Sequence, residues 1–229
     1  MPYAADPTLT ALLRAILPLV PAEGWSERAF ARAARAAEVS LEEARASAPR
    51  GALDLAVAWH REGDRVMVAA MTGPAFADLR TRDKIAFALK ARLDAMTDAE
   101  ALRRAAALFA RPAHAGVGAR LLWETADAVW TALGDASRDG TWYTKRATLA
   151  AVQGAVALYR LGDDSPDLQA TRAFVDRRID EVMRFEKWKA GAGRNPLLKP
   201  LAWPLGKVVG AVRAPVRPPD LPGGWRIEE

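Results

Sequence analysis

Side chains able to do covalent or acid–base chemistry are few in this sequence. Cysteine is absent and histidine occurs twice, as His60 and His114, which removes thiolate nucleophiles, thiolate metal sites and disulfides. His60 falls near the end of a helical stretch and His114 in the loop RPAHAGVG. A helix-dipole role or a plain surface position accounts for each. The adjacent acids Asp163 and Asp164 invite an acid–base reading, but Ser165-Pro166 follows them. A helix start favours negative charge, so capping is the expected role. No metal-ligand spacing, nucleophile–base pairing or glycine-rich phosphate loop occurs. No catalytic residue, no metal ligand, no cofactor and no enzymatic activity are expected.

The remaining chemistry is that of aromatic and cationic surfaces. Trp142 and Tyr143 stand side by side after Gly140, followed by Lys145 and Arg146. Neighbours on a helix point about 100° apart, so one buried stripe does not easily take both rings. Tyr143, Ala147, Ala150, Gly154, Leu158 and Leu161 form the stripe expected to face inward. Trp142, Arg146, Leu149, Gln153, Val156 and Arg160 form a second face of mixed polarity, with the composition of an interface. Trp142, Tyr143, Lys145 and Arg146 are therefore candidate partner-binding residues, against the plainer role of a Trp covering a helix end. Upstream, Trp123 and Trp130 lie seven residues apart beside Leu122 and Val129. That apolar face suits either ordinary core packing or the wall of a cavity for a lipid.

Helices must carry these residues. Alanine, leucine and arginine abound, apolar residues recur at three- and four-residue spacing, and strand signals are nearly absent. Gly and Pro punctuation divides the chain into helices near 8–20, 26–36, 41–48, 51–63, 65–72, 82–95, 98–110, 117–133, 142–161 and 167–189. The expected organisation is an N-terminal region over 1–63, a helical body over 64–190 and a Pro- and Gly-punctuated tail over 191–229. The 229 residues suffice for one large domain or two small ones, and 33 Lys and Arg against 28 Asp and Glu leave a charge of +5. That bias permits a nucleic acid or an anionic membrane as partner and requires neither.

The N-terminal run is broken by Pro18 and Pro21 and does not read as a signal peptide. The tail is too charged and too rich in proline for a membrane span. Its Leu197, Leu198, Trp203 and Val208, with Lys199 and Lys207, instead suit contact with an anionic bilayer. Folding back on the body is the alternative. The chain is expected to be soluble or peripheral.

Within residues 1–63, Ser26 caps a helix after the Gly24-Trp25 turn, and ERAFARAARAAEVSLEEARASAPRGALDLAVAW reads as helix, turn, helix and a longer helix. This resembles the DNA-binding head of TetR-type regulators. A recognition helix must present donors to phosphates and base edges. Here it begins Leu41-Glu42-Glu43, offset only by Arg45 and Arg50, and Glu38 stands where such regulators usually have glycine. The geometry is expected to survive as a degenerate helix-turn-helix without specific nucleic-acid binding. A TetR-type transcriptional regulator remains the alternative reading.

Residues 141–184 carry WYTKRATLAA, then DDSPD, then Phe174, Arg178, Ile179 and Asp180 in an F-x-x-x-R-I-D pattern, with LWETADAVWTALGDAS just upstream. These motifs resemble the coenzyme Q biosynthesis protein nine family over about residues 8–185. The resemblance implies an all-α, TetR-like helical bundle that binds lipids instead of DNA. It implies a non-catalytic accessory role in ubiquinone biosynthesis, presenting an isoprenoid quinone intermediate to a pathway hydroxylase. An isoprenoid quinone or a phospholipid is the expected ligand, and the Trp-Tyr pair is the expected contact with the hydroxylase. Eukaryotic members end in an amphipathic membrane-binding helix, whereas Pro196, Pro200, Pro204 and Pro215 interrupt the equivalent region here. No mitochondrial transit peptide is read, which points to a bacterial member, cytoplasmic and peripheral to the inner membrane, or to a mature form. A homodimer is expected.

Overall fold

The computed structural model describes residues 6–194, the side chains of 74, 75 and 185–194 apart. The tail residues Leu197, Leu198, Lys199, Trp203, Lys207 and Val208 lie outside the described residues. Eleven α-helices follow one another in the described chain: α1 (Pro7–Ile16), α2 (Val20–Glu23), α3 (Glu27–Ala36), α4 (Leu41–Ser47), α5 (Ala52–Ala70), α6 (Pro74–Ala77), α7 (Thr81–Ala95), α8 (Ala99–Phe109), α9 (Ala115–Ala132), α10 (Gly140–Arg160) and α11 (Gln169–Arg194). Short 3-10 turns precede α2 and α11, and no strand occurs among the described residues. The all-α expectation holds.

Side-chain caps set several helix starts. Asp6 accepts a hydrogen bond from the Thr8 amide at 2.9 Å, with Pro7 in the first helical position. Ser26 accepts from the Ala29 amide at 3.1 Å, as the Gly24-Trp25-Ser26 turn requires. Ser40 and Glu43 form a reciprocal capping box at the start of α4. Glu38, between α3 and α4, adopts a left-handed φ of 56°. A non-glycine residue thus takes the conformation that glycine adopts more cheaply, and the helix-turn-helix keeps its corner.

Two apolar cores divide the molecule. The head core gathers Leu12, Ile16, Val20, Trp25, Phe30, Leu55 and Trp59, together with Met96 and the inner face of α8. The body core gathers Met67, Ile85, Leu89, Val129, Leu149, Val156, Val175 and Ile179. Helix α8 lies in the span expected to be body, yet Ala101, Ala105 and Leu108 pack into the head. Trp25 fastens that attachment by donating from Nε1 to the Ala101 carbonyl at 3.2 Å.

The expected break between helices ending at 63 and starting at 65 is absent, because α5 runs unbroken from one core into the other. Gly63 sits at the crossing, and a Cβ there would lie 2.6 Å from the Met96 sulfur. The glycine makes room for methionine and does not end the helix.

Candidate functional site

The aromatic residues singled out above assemble where α9, the loop 133–139 and the first turns of α10 meet. Asp139 caps α10, accepting from the Thr141 amide at 3.0 Å. Asp135 in the same loop accepts from Lys145 Nζ at 2.7 Å and from Arg146 at 3.0 Å. Ser137 Oγ donates to it at 2.8 Å. Burial alone would raise the Asp135 carboxyl, but hydrogen bonds from Lys145, Ser137 and Arg146 overcome that and hold it at about 2. Arg146 also donates from Nε to Asp127 at 2.6 Å and to the Trp142 carbonyl at 3.2 Å. The loop, α9 and α10 are thereby knotted together around one guanidinium.

Three rings rest against this knot. Trp142 lies 4.8 Å from Tyr143, edge to face, and 5.9 Å from Trp123, while Trp123 and Tyr143 are 6.3 Å apart. The Arg146 guanidinium lies over the Trp142 ring at 3.9 Å, within cation–π range. Trp123, Trp142 and Tyr143 are each half-buried. They form a partly open aromatic platform whose rings are held in place by one another and by the charge knot.

Several expected placements are corrected here. Arg146 is not displayed beside Trp142: it is only 2% exposed and its charge is spent on Asp127 and Asp135. Lys145 is half-buried, bonded to Asp135 and Ser137, and 5.2 Å from the Trp130 ring. Trp142, expected as a partner-binding residue, is half-buried and not fully open to the surface. The inward stripe of α10 is also the other one. Arg146, Leu149, Val152, Gln153, Val156 and Arg160 are buried, whereas Ala147 is exposed and Leu158 is 68% exposed. Arg160 reaches the Leu93 and Met96 carbonyls at the end of α7. Two arginines with partners on other helices thus turn an apparently mixed face into the packed one.

The expected lipid-binding residues do not form one wall. Val129 is fully buried in the body core. Leu122 packs on Gly154, its Cδ1 3.2 Å from where a Cβ would stand. Trp123 belongs to the platform, and Trp130 donates from Nε1 to the Lys145 carbonyl at 3.2 Å. Residues 122 and 129 point about a quarter turn away from 123 and 130. One depression, of about 550 Å³, lies elsewhere, with Val66, Ala70, Phe87 and Ala91 in its lining and Lys90 and Arg172 beside them.

A buried polar cluster escaped the reading of the residues. Arg92 donates to Asp64 at 2.6 Å, Thr125 Oγ1 donates to the same carboxylate at 2.9 Å, and His60 Nε2 lies 3.0 Å from Thr125 and 2.9 Å from Arg92. Burial, then the Arg92 charge, pushes His60 well below its ordinary range, so the ring is neutral. Burial raises the Asp64 carboxyl against the opposing pull of Arg92. His60 is therefore neither a helix-end residue nor a surface one: it pins α5 to α7 and α9 from the middle of a helix. The spacing of His60 and Asp64, four apart on one helix, was the available signal.

Asp163 performs the capping role expected of it. It accepts from Ser165 and from the Thr171 amide at 2.8 Å, and these bonds hold its carboxyl well below the usual range. Among the described residues no three His, Cys, Asp or Glu side chains gather as metal ligands. Nor is any described helix long and apolar enough to cross a membrane.

Residues 115–186, from α9 through the middle of α11, match the COQ9 family model. A human protein named ubiquinone biosynthesis protein COQ9, mitochondrial, is 28% identical over 179 residues, covering 75% of this chain and 56% of that protein. A Dictyostelium discoideum protein named probable ubiquinone biosynthesis protein coq9 is 32% identical over 116 residues, covering 48% of this chain and 36% of its own length. The chain spans little more than half the length of the curated relatives it matches. A solved TetR transcriptional regulator from Nitrosomonas europaea superposes with a TM-score of 0.63 at 22% identity, over 77% of this chain and 98% of that one. The similarity to the COQ9 family and the TetR-like fold expected from the sequence are both present.

Proposed function

We propose that this chain, a relative of the COQ9 family with a TetR-like fold, serves ubiquinone biosynthesis as a non-catalytic accessory protein. In this reading it binds an isoprenoid lipid and presents it to a pathway hydroxylase that docks on the aromatic platform. The observation that carries the reading is the platform itself. Trp123, Trp142 and Tyr143 lie inside the family-matched span and are held, half open, by a buried ion-pair knot. Rigid aromatics at low entropic cost are what a protein–protein anchor requires. The platform takes in Trp123, while Lys145 and Arg146 support it from below. A peripheral membrane position through the tail, a bacterial cytoplasmic location and a homodimer belong to the same reading.

The test is to extract the purified protein with organic solvent and identify co-purified lipids by mass spectrometry. Isoprenoid quinones or their precursors are the expected result, and an empty extract overturns the lipid-carrying part. Co-precipitation with the hydroxylase of the same organism tests the docking part separately.

A DNA-binding regulator is the second reading, favoured by the intact corner at Glu38. Against it, Leu41 is 54% exposed, Glu42 and Glu43 are exposed, and Arg45 and Arg50 are paired with Glu27 and Asp54. Such a helix offers phosphates little attraction. Sequence-specific binding tighter than about 10⁻⁸ M in a gel-shift titration at physiological salt would favour the regulator instead.

A further inference from the structure

The open depression of about 550 Å³ beside the start of α11 is lined by Val66 and Ala70 of α5 and by Phe87, Ala91 and Ala95 of α7. Val66 is 37% exposed, one of few large apolar side chains left in water among the described residues. Phe87 packs on Phe76, with ring centroids 5.5 Å apart. The charges beside this floor are matched: Lys90 bonds Asp176 at 2.7 Å, and Arg172 pairs with Asp94. With its ions neutralised, the slot suits an apolar occupant and not a charged one.

The sequence holds a segment of matching length, outside the described residues. Residues 195–219 contain four cations and no acid, and Leu201, Trp203 and Leu205 alternate within them. Pro200 and Pro204 disfavour a helix there, and in extended chain alternate side chains share one side. An extended segment rises about 3.3 Å per residue, which sets residues 201 and 205 about 13 Å apart. Phe87 and Ala95 stand about 12 Å apart along α7. Position agrees with length. The Arg172–Asp94 pair puts the Ala95 end of the slot level with Arg172. That level is about 33 Å back along α11 from Arg194, its last residue. Eleven extended residues cover about 36–40 Å, enough to bring Leu205 there when the chain turns back along α11. Helix α7 runs antiparallel to α11, as Arg82–Asp180 and Asp94–Arg172 show, so Leu201 meets the Phe87 end first.

We propose that Leu201, Trp203 and Leu205 dock in this slot, and that the slot and an anionic bilayer compete for the same segment. So few side chains bind weakly between free molecules, but a tether supplies an effective concentration of about millimolar. The same residues, with the cations around them, suit a bilayer interface. Docking keeps them out of water until a bilayer is met. The competition rests on the membrane contact proposed above, whereas the docking stands without it.

The chain has no cysteine, so an introduced pair can be read without background. In the full-length chain, Ala95→Cys with Leu205→Cys is compared with Ala107→Cys with Leu205→Cys. Ala107 is exposed on α8. Melting curves of the reduced variants establish that both are folded. On mild oxidation the first pair should close an intramolecular disulfide at least about tenfold faster than the second, because closure needs Cα atoms within about 7 Å. Adding Trp203→Ala should bring the first pair to the control rate. Equal rates overturn the docking, as a slot filled by lipid would produce. A disulfide joining two chains in the first pair also overturns it and assigns the slot to a second copy. Co-sedimentation with vesicles of phosphatidylcholine and phosphatidylglycerol reads the competition. The oxidised first pair should lose sedimentation several-fold and regain it on reduction. Sedimentation unchanged by the lock overturns the competition. If the reduced protein does not sediment, the membrane contact fails and the competition with it, while the disulfide rates still decide the docking. Should Ala95→Cys unfold the protein, Ala91→Cys takes its place with the same expected outcomes.

Discussion

The helix-turn-helix head and the α9–α10 corner of the body use arginine–carboxylate pairs in opposite ways. In the head, Arg45 pairs with Glu27 and Arg50 with Asp54 on the surface, and both arginines and Glu27 keep about half of their side chains in water. In the body, Arg146 sits between Asp127 and Asp135 with its own side chain and that of Asp135 each only 3% exposed. Surface pairs contribute little because water and salt screen them. A buried pair has lost its hydration, so removing one partner strands the other. The head's charges thus decorate a surface, while those of the body hold a platform in shape.

The largest expected effect tests that contrast directly. Arg146→Ala should destabilise the protein by about 3 kcal/mol, because Asp127 and Asp135 lose the guanidinium they share and Lys145 and Ser137 are left to hold Asp135. Arg45→Ala should cost under about 1 kcal/mol. Urea unfolding of the two variants measures both, and equal costs would erase the distinction. Gly63→Ala probes the point where α5 passes from head to body. A Cβ meeting the Met96 sulfur should cost about 1–3 kcal/mol, with a shortened side chain at Met96 restoring part of it. Thermal melts of the single and double variants check this, and a neutral Gly63→Ala would mean that Met96 swings away freely.

At the platform, Trp142→Ala should weaken hydroxylase binding by about thirtyfold, or about 2 kcal/mol, if the rings are the anchor. Trp123→Ala should follow it in a quantitative pull-down, while Leu41→Ala in the head should leave binding unchanged. Full binding by both tryptophan variants would return these rings to a purely structural role.

The smallest effect concerns pH. The folded state keeps His60 neutral, so its pKa lies below the unfolded value of 6.5. The unfolded chain then binds the extra proton, and stability falls as pH drops through that value, by at most about 1.4 kcal/mol per unit. Asp64, whose carboxyl is raised, acts with the opposite sign at lower pH. Denaturant midpoints between about pH 7 and 5 should fall for the wild type and stay flatter for His60→Gln. An unchanged slope in the variant would remove His60 as the cause.

Most helix positions were legible to within a few residues because their signals are local, the break placed inside α5 and the short α2 and α6 being the exceptions. Ser26, Ser40 with Glu43, and Asp163 each bond amides within a few residues of themselves. The Trp142-Tyr143 pair was legible as a candidate for the same reason. The inward face of α10 was not. Arg146 and Arg160 read as polar letters, and nothing near them in the chain reveals that their neutralising partners lie on other elements. The His60 cluster was hidden likewise, since Arg92 is 32 residues from His60, and Thr125 is 65.

By itself, then, the sequence determined most of the helices, the caps at Ser26 and Asp163 and the aromatic motif, all of which depend on bonds and sterics spanning a few residues. Tertiary structure alone decided which arginines are buried, which stripe of α10 packs and which rings meet. A charged side chain can enter a core only when a carboxylate or carbonyl from a distant segment arrives to offset its lost hydration.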